Sequence, residues 1–389
     1  MFFILLLFTT FSFGIGLEEA MQTALEKNPS VKAMEEEVKS FEGLFISAGA
    51  FPNPEVRLES GFITNDKNGR PEGRFLYLLE FNQPIPMWGT RSIGREVVRK
   101  ERESFESAVE FRKRRLLAQV YRAFYRALWS KELLKIRKDS LRTAKAVEEF
   151  VRKAYSLGEV TELELLRAER ERGIEEVQLE VARSRYRAEL KVLSGLLNTD
   201  VDEVEGNLFR VPNLRDVSYE ELPEVKALSK KAQAFEERIR LERARAKPSL
   251  GAGFVVEDAD GYYGLRGSLT LELPAFYRRQ GEIIRYSALK RAVLSRKEAR
   301  VVMLRRRIEA LKLQMETLDR ELKRIDNRLL PQARKELELA LRSYRLGAIT
   351  LLELSDVRRR YYELLIKRAE LSFKMHEVYS QFIEIGGWR

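Results

Sequence analysis

The sequence predicts an α+β membrane protein: a tandem-duplicated protomer in which four β-strands continue into a long α-helical barrel. Three observations predict this class. The same landmarks occur in the same order in both halves of the chain, two very long stretches have helical apolar spacing, and four short stretches alternate apolar with polar residues. The strands indicate a membrane-inserted part, and the helices indicate an extended, water-exposed part.

Composition favours one extended molecule over several compact domains. Charged residues make up 34% of the 389 residues, while only 11 prolines are present to interrupt helices. The chain has 0 cysteines, which excludes disulfides, thiolate metal sites and a lipid-bearing cysteine anchor. The formal net charge is +11, but acidic and basic residues are interleaved throughout, which is typical of solvated helix faces. No nucleic-acid partner is therefore predicted.

Residues 1–16 form an apolar N-terminal segment about as long as the core of a signal peptide. The segment is too short to span a bilayer as a helix, and it lacks the basic residues that usually precede such a core. We predict a signal peptide that is cleaved near Gly14 or Gly16. No later segment is apolar enough for a transmembrane helix, so a membrane-inserted part must consist of strands.

The duplication is clearest in the motif YSLGEVTELEL at 155–165, which recurs as YRLGAITLLEL at 344–354. The two copies are 189 residues apart, and shorter motifs around the strands recur in the same order. We therefore predict a first repeat at 17–201, an equatorial linker at 202–218 and a second repeat at 219–389.

Each repeat is predicted to contain an opening helix, a β-hairpin, a very long helix, a turn and a returning helix of about 34 residues. The opening helices are predicted at 17–48 and 219–246, and the long helices at 88–155 and 277–344. A helix of about 68 residues is about 100 Å long. Apolar residues recur at three- and four-residue intervals with doubled positions, which favours neighbours on two sides. Such helices predict the wall of a tube.

A Leu-Gly turn ends each long helix. Glycine in this place adopts the left-handed conformation that terminates a helix. Each turn is followed by a threonine and, three residues later, by a glutamate, which together predict a capping box at the start of the returning helix. The turns contain Leu157, Gly158, Leu346 and Gly347, and the capping boxes contain Thr161, Glu164, Thr350 and Glu353.

Four stretches between the helices have the two-residue period of strands with one apolar and one polar face. Their apolar positions are Val56, Leu58 and Phe62; Phe75, Tyr77, Leu79 and Phe81; Leu250, Ala252, Phe254 and Val256; and Leu265, Leu269, Leu271 and Leu273. Hairpin loops are predicted at 64–71 and 258–261. Each strand has roughly ten residues, which is enough to cross a bilayer.

These four strands cannot close a barrel within one chain. An open sheet edge in lipid would leave backbone amides without hydrogen-bond partners. Several chains must therefore share one barrel, and three copies would supply twelve strands, an even number within the known range.

Several motifs accompany this plan: LEEAMQTALEKNPS at 17–30, FNQPIP at 81–86 and the two Leu-Gly turns. Together with the duplicated order of elements, they resemble the TolC family of outer-membrane efflux proteins over nearly the whole chain. The PNP motif at 52–54 and QPIPMWG at 83–89 are most similar to the branch that exports heavy-metal cations.

The resemblance implies a homotrimer with its barrel in outer-membrane lipid and a helical tunnel through the periplasm. It implies a passive channel, not an enzyme, that works with an inner-membrane efflux pump and a periplasmic adaptor (membrane fusion) protein. It implies no cofactor and no bound metal. The adaptor would dock on the helical turns at Leu157, Gly158, Thr161, Leu346, Gly347 and Thr350.

The resemblance also assigns a pore constriction to two acidic residues. By position, Glu353 and Asp356 match the paired acidic residues of the family's constriction, and their spacing places both on one helical face. Three copies would form a ring of about six carboxylates, which favours cations. A capping role alone is the alternative for Glu353.

Tip closure is assigned in the same way. Glu164 and Tyr344 match residues that hold the tunnel closed, but Ile349 stands where the family has a basic partner. Arg345, Arg358 and Arg359 are the candidates to replace that partner.

A second class of function stays open: a soluble periplasmic coiled-coil scaffold or adaptor protein whose strands form an accessory sheet. It predicts extraction without detergent and no pore conductance. A basic nucleic-acid-binding rod would predict salt-dependent DNA retention. Enzymatic chemistry finds little support, because His376 is the only histidine and no nucleophile elbow, phosphate-binding loop or metal-ligand cluster occurs.

Overall fold

The computed structural model describes residues 14–67, 70–259 and 262–387. Most of the predicted signal peptide, residues 1–13, lies outside this range, as do residues 68–69 and 260–261 of the predicted hairpin loops. Close to the predicted cleavage site, Ile15 pairs with Val204 of the predicted linker in an isolated parallel bridge.

The described chain alternates long helices with two β-hairpins, in the predicted order. The first half contains α1 (Leu17–Lys27), α2 (Pro29–Gly49), β1 (Glu55–Lys67), β2 (Arg70–Ile85), α3 (Thr90–Ser156) and α4 (Glu162–Leu197). The second half contains α5 (Pro223–Arg245), β3 (Ser249–Ala259), β4 (Tyr262–Glu272), α6 (Gln280–Arg324), α7 (Leu330–Arg345) and α8 (Leu351–Ile385).

The chain divides into two compact units. One unit contains the described residues up to Ala33, Glu110–Leu222 and the described residues from Met303 onward. The other contains Met34–Val109 and Pro223–Val302, which include all four strands. Each unit combines segments of both predicted repeats, so the repeat boundaries stay a prediction from the sequence.

The strands form one antiparallel sheet in the order β1-β2-β3-β4. Strands β2 and β3 come from different predicted repeats, and they pair from Tyr77 with Asp258 to Ile85 with Leu250. Neither β1 nor β4 has a second partner strand within the described chain. The sheet of one protomer is therefore open at both edges.

The strands are longer than the sequence predicts. Strand β1 has 13 residues and β2 has 16, and their pairing continues from Thr64 with Gly73 to Lys67 with Arg70. The loop predicted at 64–71 is therefore wrong on both sides of residues 68–69. Likewise, Asp258 and Ala259 belong to β3. Backbone groups form the ladder whatever the polarity of the side chains, so a loop-like composition does not end a strand.

Proline changes both predicted opening helices: it divides the first and delays the start of the second. The opening helix predicted at 17–48 divides at Asn28, because Pro29 has no amide hydrogen to donate and disfavours helical geometry at the residue before it. Asn28 is extended, and its Nδ2 donates to the carbonyl of Leu196 at 2.8 Å. The second opening helix likewise begins at Pro223, after a 3₁₀ turn at Tyr219–Glu221.

The second long helix contains a wider π-helical segment, Ile325–Leu329, between α6 and α7. This segment ends two residues before Pro331, which lacks an amide hydrogen and would clash with the carbonyl four residues earlier in a regular α-helix. The prediction of one uniform helix at 277–344 is corrected at this point. Helix α3, which has no proline, is continuous over 67 residues.

Aromatic side chains form much of the core of the unit that contains no strands. The ring of His376 on α8 stacks on Tyr125 of α3 with centroids 3.4 Å apart. Its Nδ1 accepts a hydrogen bond from the Tyr121 hydroxyl at 2.7 Å, and its Nε2 donates to the carbonyl of Leu208 at 3.0 Å. Burial lowers the pKa of His376 to about 4, so the ring is neutral. The lone histidine is a packed residue that ties the linker to two helices.

Candidate functional site

The two Leu-Gly turns have the same backbone geometry. Gly158 has φ +76° and Gly347 has φ +72°, the left-handed conformation that glycine adopts without steric cost. In the second turn, the amide of Gly347 donates to the carbonyl of Tyr344 at 3.0 Å, and that of Ala348 donates to Ser343 at 2.9 Å. The first turn makes the equivalent bonds at Gly158 and at Glu159. Both are Schellman motifs, as expected from the sequence.

The helix caps after the turns differ in completeness. Thr350 and Glu353 form a full capping box: the Glu353 carboxylate accepts from the Thr350 amide at 2.8 Å, and the Glu353 amide donates to the Thr350 hydroxyl at 3.3 Å. At the first turn, Thr161 accepts from the Glu164 amide at 3.4 Å, and within the described chain the Glu164 carboxylate does not accept from the Thr161 amide in return. The two glutamates are therefore not equivalent.

A small apolar core lies beneath the turns, and we call the region built around it the tip. Ile349, at the position where the resemblance implies a basic residue, packs against this core. The buried residues of the tip are Val151, Ala168, Ala340, Tyr344, Leu351 and Leu354.

The predicted closing residues Tyr344 and Glu164 lie near each other without a hydrogen bond. Burial and, second, the charge of Glu164 raise the pKa of Tyr344 to about 12. The Tyr344 ring packs edge-on against Phe150 with centroids 5.7 Å apart. Its hydroxyl is buried and has no hydrogen-bond partner in the described protomer. The closing role of this pair stays a prediction.

The predicted constriction residues are already engaged within the protomer. Hydrogen bonds from Thr350 lower the pKa of Glu353, so its carboxylate is ionised at neutral pH. The Asp356 carboxylate forms ion pairs with Arg359 at 2.5 Å and with Arg360 at 2.8 Å. The capping role of Glu353 is thus present in the structure, while a pore role for Glu353 and Asp356 stays a prediction.

Both acidic residues line one groove of about 710 Å³ between α4 and α8. Nine charged side chains surround it: Arg137, Arg170, Arg358 and Arg359, and Glu171, Glu175, Glu353, Asp356 and Glu363. Five carboxylates thus face four guanidinium groups of the lining, and Arg360, outside the lining, also pairs with Asp356, so the charges of the groove balance.

Arg358, one of the three candidates for the missing basic partner, is used inside the protomer. It is 5% exposed, and its guanidinium contacts Glu171 of α4 at 3.1 Å and Glu175 at 3.6 Å. Next to it, the Tyr362 hydroxyl donates to the Asp139 carbonyl of α3 at 3.0 Å. Sequence reasoning missed Glu171 and Glu175, although their i, i+4 spacing on α4 places both on one face.

Leucines protrude at the two turns. Leu346 is 83% exposed and Leu157 is 64% exposed, although both are apolar and lie at the ends of long helices. Leu163 and Leu352, in the first turns of the returning helices, are exposed as well. Two of the predicted docking residues, Leu157 and Leu346, thus expose apolar side chains next to two further exposed leucines.

The sheet has one apolar and one charged face, as predicted. Leu58 and Leu269 are each 78% exposed on the apolar face. On the other face, Arg266 of β4 forms an ion pair with Glu257 of β3 at 2.5 Å. An exposed apolar sheet face of this kind is typical of a surface that contacts lipid.

Two further properties concern only residues 14–67, 70–259 and 262–387. No helix there combines the length and the low charge that crossing a membrane requires. No group of three or more metal-ligating side chains occurs there either.

Comparison with known proteins agrees with this geometry. Residues 20–199 match the sequence model of the outer membrane efflux protein family. The cobalt-zinc-cadmium resistance protein CzcC of Cupriavidus metallidurans is 25% identical over 367 residues, which cover 91% of this chain and 85% of that protein.

Solved structures share the fold. A CusC structure superposes with a TM-score of 0.79 at 16% identity and covers 97% of this chain and 94% of its own. The open state of the Neisseria gonorrhoeae MtrE outer-membrane channel superposes with a TM-score of 0.77 at 15% identity and covers 95% and 88%. These similarities show that this chain shares their fold, with four strands and long helices.

Proposed function

We propose that this chain is the passive outer-membrane channel of a tripartite efflux system, because residues 20–199 match the model of the outer membrane efflux protein family. The protein lies in the outer membrane and extends into the periplasm. In this proposal it conducts substrates that an inner-membrane pump exports and that a periplasmic adaptor delivers to the tip.

The observation that carries the proposal is the open four-stranded sheet. Its edges β1 and β4 expose backbone groups, and its apolar face exposes leucines to the surroundings. In lipid, each unpaired edge amide has a free-energy cost of roughly several kcal/mol. The edges must therefore pair with strands of other copies. Three copies form a twelve-stranded barrel, and the homotrimer is the assembly that we propose.

The proposed cargo is a divalent heavy-metal cation. Two features support it: the similarity to a protein named for cobalt, zinc and cadmium resistance, and the five carboxylates that line the groove of Glu353 and Asp356. No protein ligand for a resident metal is needed, because a conduit must release its cargo as readily as it accepts it.

The proposed adaptor contact is the pair of protruding turns. Leu157 and Leu346 would insert into apolar pockets of the adaptor, and the duplicated Schellman geometry would present two similar surfaces to it. Apolar side chains that are exposed in the free protein and buried on docking supply the association energy.

Mass and conductance together test the proposal. The protein would be extracted from outer-membrane fractions with detergent, its mass measured by light scattering, and its conductance recorded in planar bilayers. We expect the mass of three chains and stepwise ion conductance. A protein that is extracted without detergent, stays monomeric and conducts no ions would instead be the periplasmic scaffold or adaptor protein.

A further inference from the structure

A cavity of about 520 Å³ lies in the strand-containing unit, where the sheet meets α2, α3 and α5. Its lining includes two aromatic rings, those of Phe51 and Trp88, and no carboxylate. Four cationic side chains also line it: Arg91, Arg245, Lys247 and Arg279. A concave site with several cations and no lining acid selects an anionic group.

The positive charge of this cavity is only partly compensated. Arg245 and Arg279 share one carboxylate, that of buried Glu242, at 3.3 and 3.0 Å. One further carboxylate, Glu272, contacts the lining by accepting a hydrogen bond from Ser249 at 2.8 Å. A third carboxylate, Glu282, interacts with Arg279 and also with Arg285. The uncompensated positive charge of the cavity therefore lies on Arg91 and Lys247.

Arg91 and Lys247 are held in place with no acidic partner among the residues that the structure describes. The Arg91 guanidinium donates twice to the carbonyl of Gly49, at 2.8 and 2.5 Å, and lies 3.8 Å from the centroid of the Phe51 ring. The Lys247 ammonium lies 4.7 Å from the centroid of the Trp88 ring. Carbonyls and rings orient these cations but do not cancel their charge, so both are available to an anion.

Trp88 is fixed in an uncommon conformation that points to a defined role. Its φ of +59° lies in the left-handed region, which bulky residues rarely adopt. Its Nε1 donates to the carbonyl of Pro248 at 2.7 Å, so the indole is anchored across the cavity. Strained residues of this kind are retained where the surrounding structure and a function require them.

The cavity is continuous with the apolar face of the sheet. Ile85 and Leu250 are register partners on that face, and both also line the cavity. Between β4 and α6, Phe276 is 99% exposed and Tyr277 is 53% exposed. Aromatic rings at the end of an apolar barrel surface lie at the level of lipid headgroups.

We propose that this cavity binds the phosphodiester headgroup of a glycerophospholipid in the periplasmic leaflet of the outer membrane. Lys247 and Arg91 neutralise the phosphate, Trp88 and Phe51 pack against the glycerol, and the acyl chains follow the apolar face from Ile85 and Leu250. The inference rests on the proposed function, because it requires the sheet to lie in a membrane with the helices on its periplasmic side.

Lipid retention by the purified full-length protein tests this inference. The protein would be equilibrated in detergent with phosphatidylglycerol, and bound lipid would be counted by native mass spectrometry. We expect Arg91→Gln with Lys247→Gln to weaken retention by about five-fold for each cation removed, the usual effect of one basic residue near a lipid surface. Arg91 also supports the backbone at Gly49, so a second variant keeps a positive charge at this position. In Arg91→Lys with Lys247→Gln only one cation is lost, and lipid retention should weaken by only one step of about five-fold.

The matched control is Lys226→Gln, which removes an exposed lysine of α5 roughly 30 Å along the helix from Lys247. It should retain lipid like the unchanged protein. Equal retention by the control and by both cavity variants would overturn the inference. Displacement of the lipid by inorganic phosphate or glycerol phosphate at the same concentration would also overturn it, since the site would then bind free phosphate.

Parallel conductance recordings separate this inference from the proposed function. Variants that lose lipid but still form conducting trimers support the headgroup site. An unchanged protein that neither trimerises nor conducts contradicts the channel, whatever its lipid content.

Discussion

The role of an acidic side chain at the tip depends on the cations and amides that it already contacts. Glu353 closes a capping box, and Asp356 lies between Arg359 and Arg360. The capping box was predictable because it is a local pattern within four residues. The ion pairs of Asp356 are local too, at i+3 and i+4, and they reduce the negative charge that a ring of such residues would present.

Neutralising both carboxylates tests their pore role. We expect Glu353→Gln with Asp356→Asn to lower the permeability of K⁺ relative to Cl⁻, because Arg359 and Arg360 then lose their carboxylate partner. The reversal potential in a KCl gradient across a planar bilayer measures this. Glu18→Gln with Glu19→Gln, in exposed positions of α1, gives the same charge change away from the tip. A reversal potential that is unchanged in the tip variant would refute the constriction.

The burial of Arg358 could not be predicted from the sequence. The sequence places it among three adjacent arginines and offers no reason to separate it from Arg359. Its burial against Glu171 and Glu175 depends on how α8 packs on α4, which no local pattern encodes. The packing of Ile349 was not predictable for the same reason, because the apolar core that it contacts is assembled from four different helices.

Among the secondary-structure elements, the predicted linker is held by a buried, neutral histidine. His376 of α8 joins Tyr121 of α3 to the carbonyl of Leu208, and the rings of Tyr125 and Tyr379 pack around the same cluster. Protonation would place a charge in this apolar setting and would remove the acceptor of the Tyr121 hydroxyl.

The linker contact predicts a pH-dependent stability. The folded-state pKa of about 4 lies below the ordinary 6.5, so the unfolded chain binds the proton more tightly. The free energy of unfolding should therefore fall as the pH decreases from about 6.5 to 4, by on the order of 3 kcal/mol per protomer.

The melting temperature of the unchanged protein, recorded from roughly pH 8 to pH 4, measures this effect. A variant without the histidine is the control. In His376→Gln the amide can still donate to the Leu208 carbonyl, so the variant should melt at a temperature that depends less steeply on pH. An equal dependence of the melting temperature on pH in the two proteins would show that protonation of His376 is not coupled to folding.

The order of the elements was predictable, and their interruptions were less so. Apolar periodicity located α3 and both returning helices to within a few residues. The break at Asn28 and the π segment before Pro331 arise because a single proline changes the backbone inside an otherwise periodic stretch. The strands run past their predicted ends because hydrogen bonding along the ladder does not depend on apolar side chains.

For the whole molecule, the central claim is that one chain is an incomplete membrane structure. Its four-stranded sheet joins the two predicted repeats through β2 and β3 and ends at two open edges. The number of strands follows from the sequence, and its consequence follows from the cost of an unpaired amide in lipid. The register between copies does not follow from either, because it depends on contacts that one protomer does not contain.

Disulfide trapping between β1 and β4 tests this claim most directly, because the chain has 0 native cysteines. Cysteine pairs would combine Val56, Leu58 or Ser60 with Leu265 or Leu269, and outer-membrane fractions would be oxidised and run on denaturing gels. Leu79→Cys with Val256→Cys, partners within one sheet, is the control for oxidation without a mass increase. We predict covalent products that end at three chains for at least one edge pair. Monomers alone for every edge pair, with the control pair fully oxidised, would contradict the shared barrel.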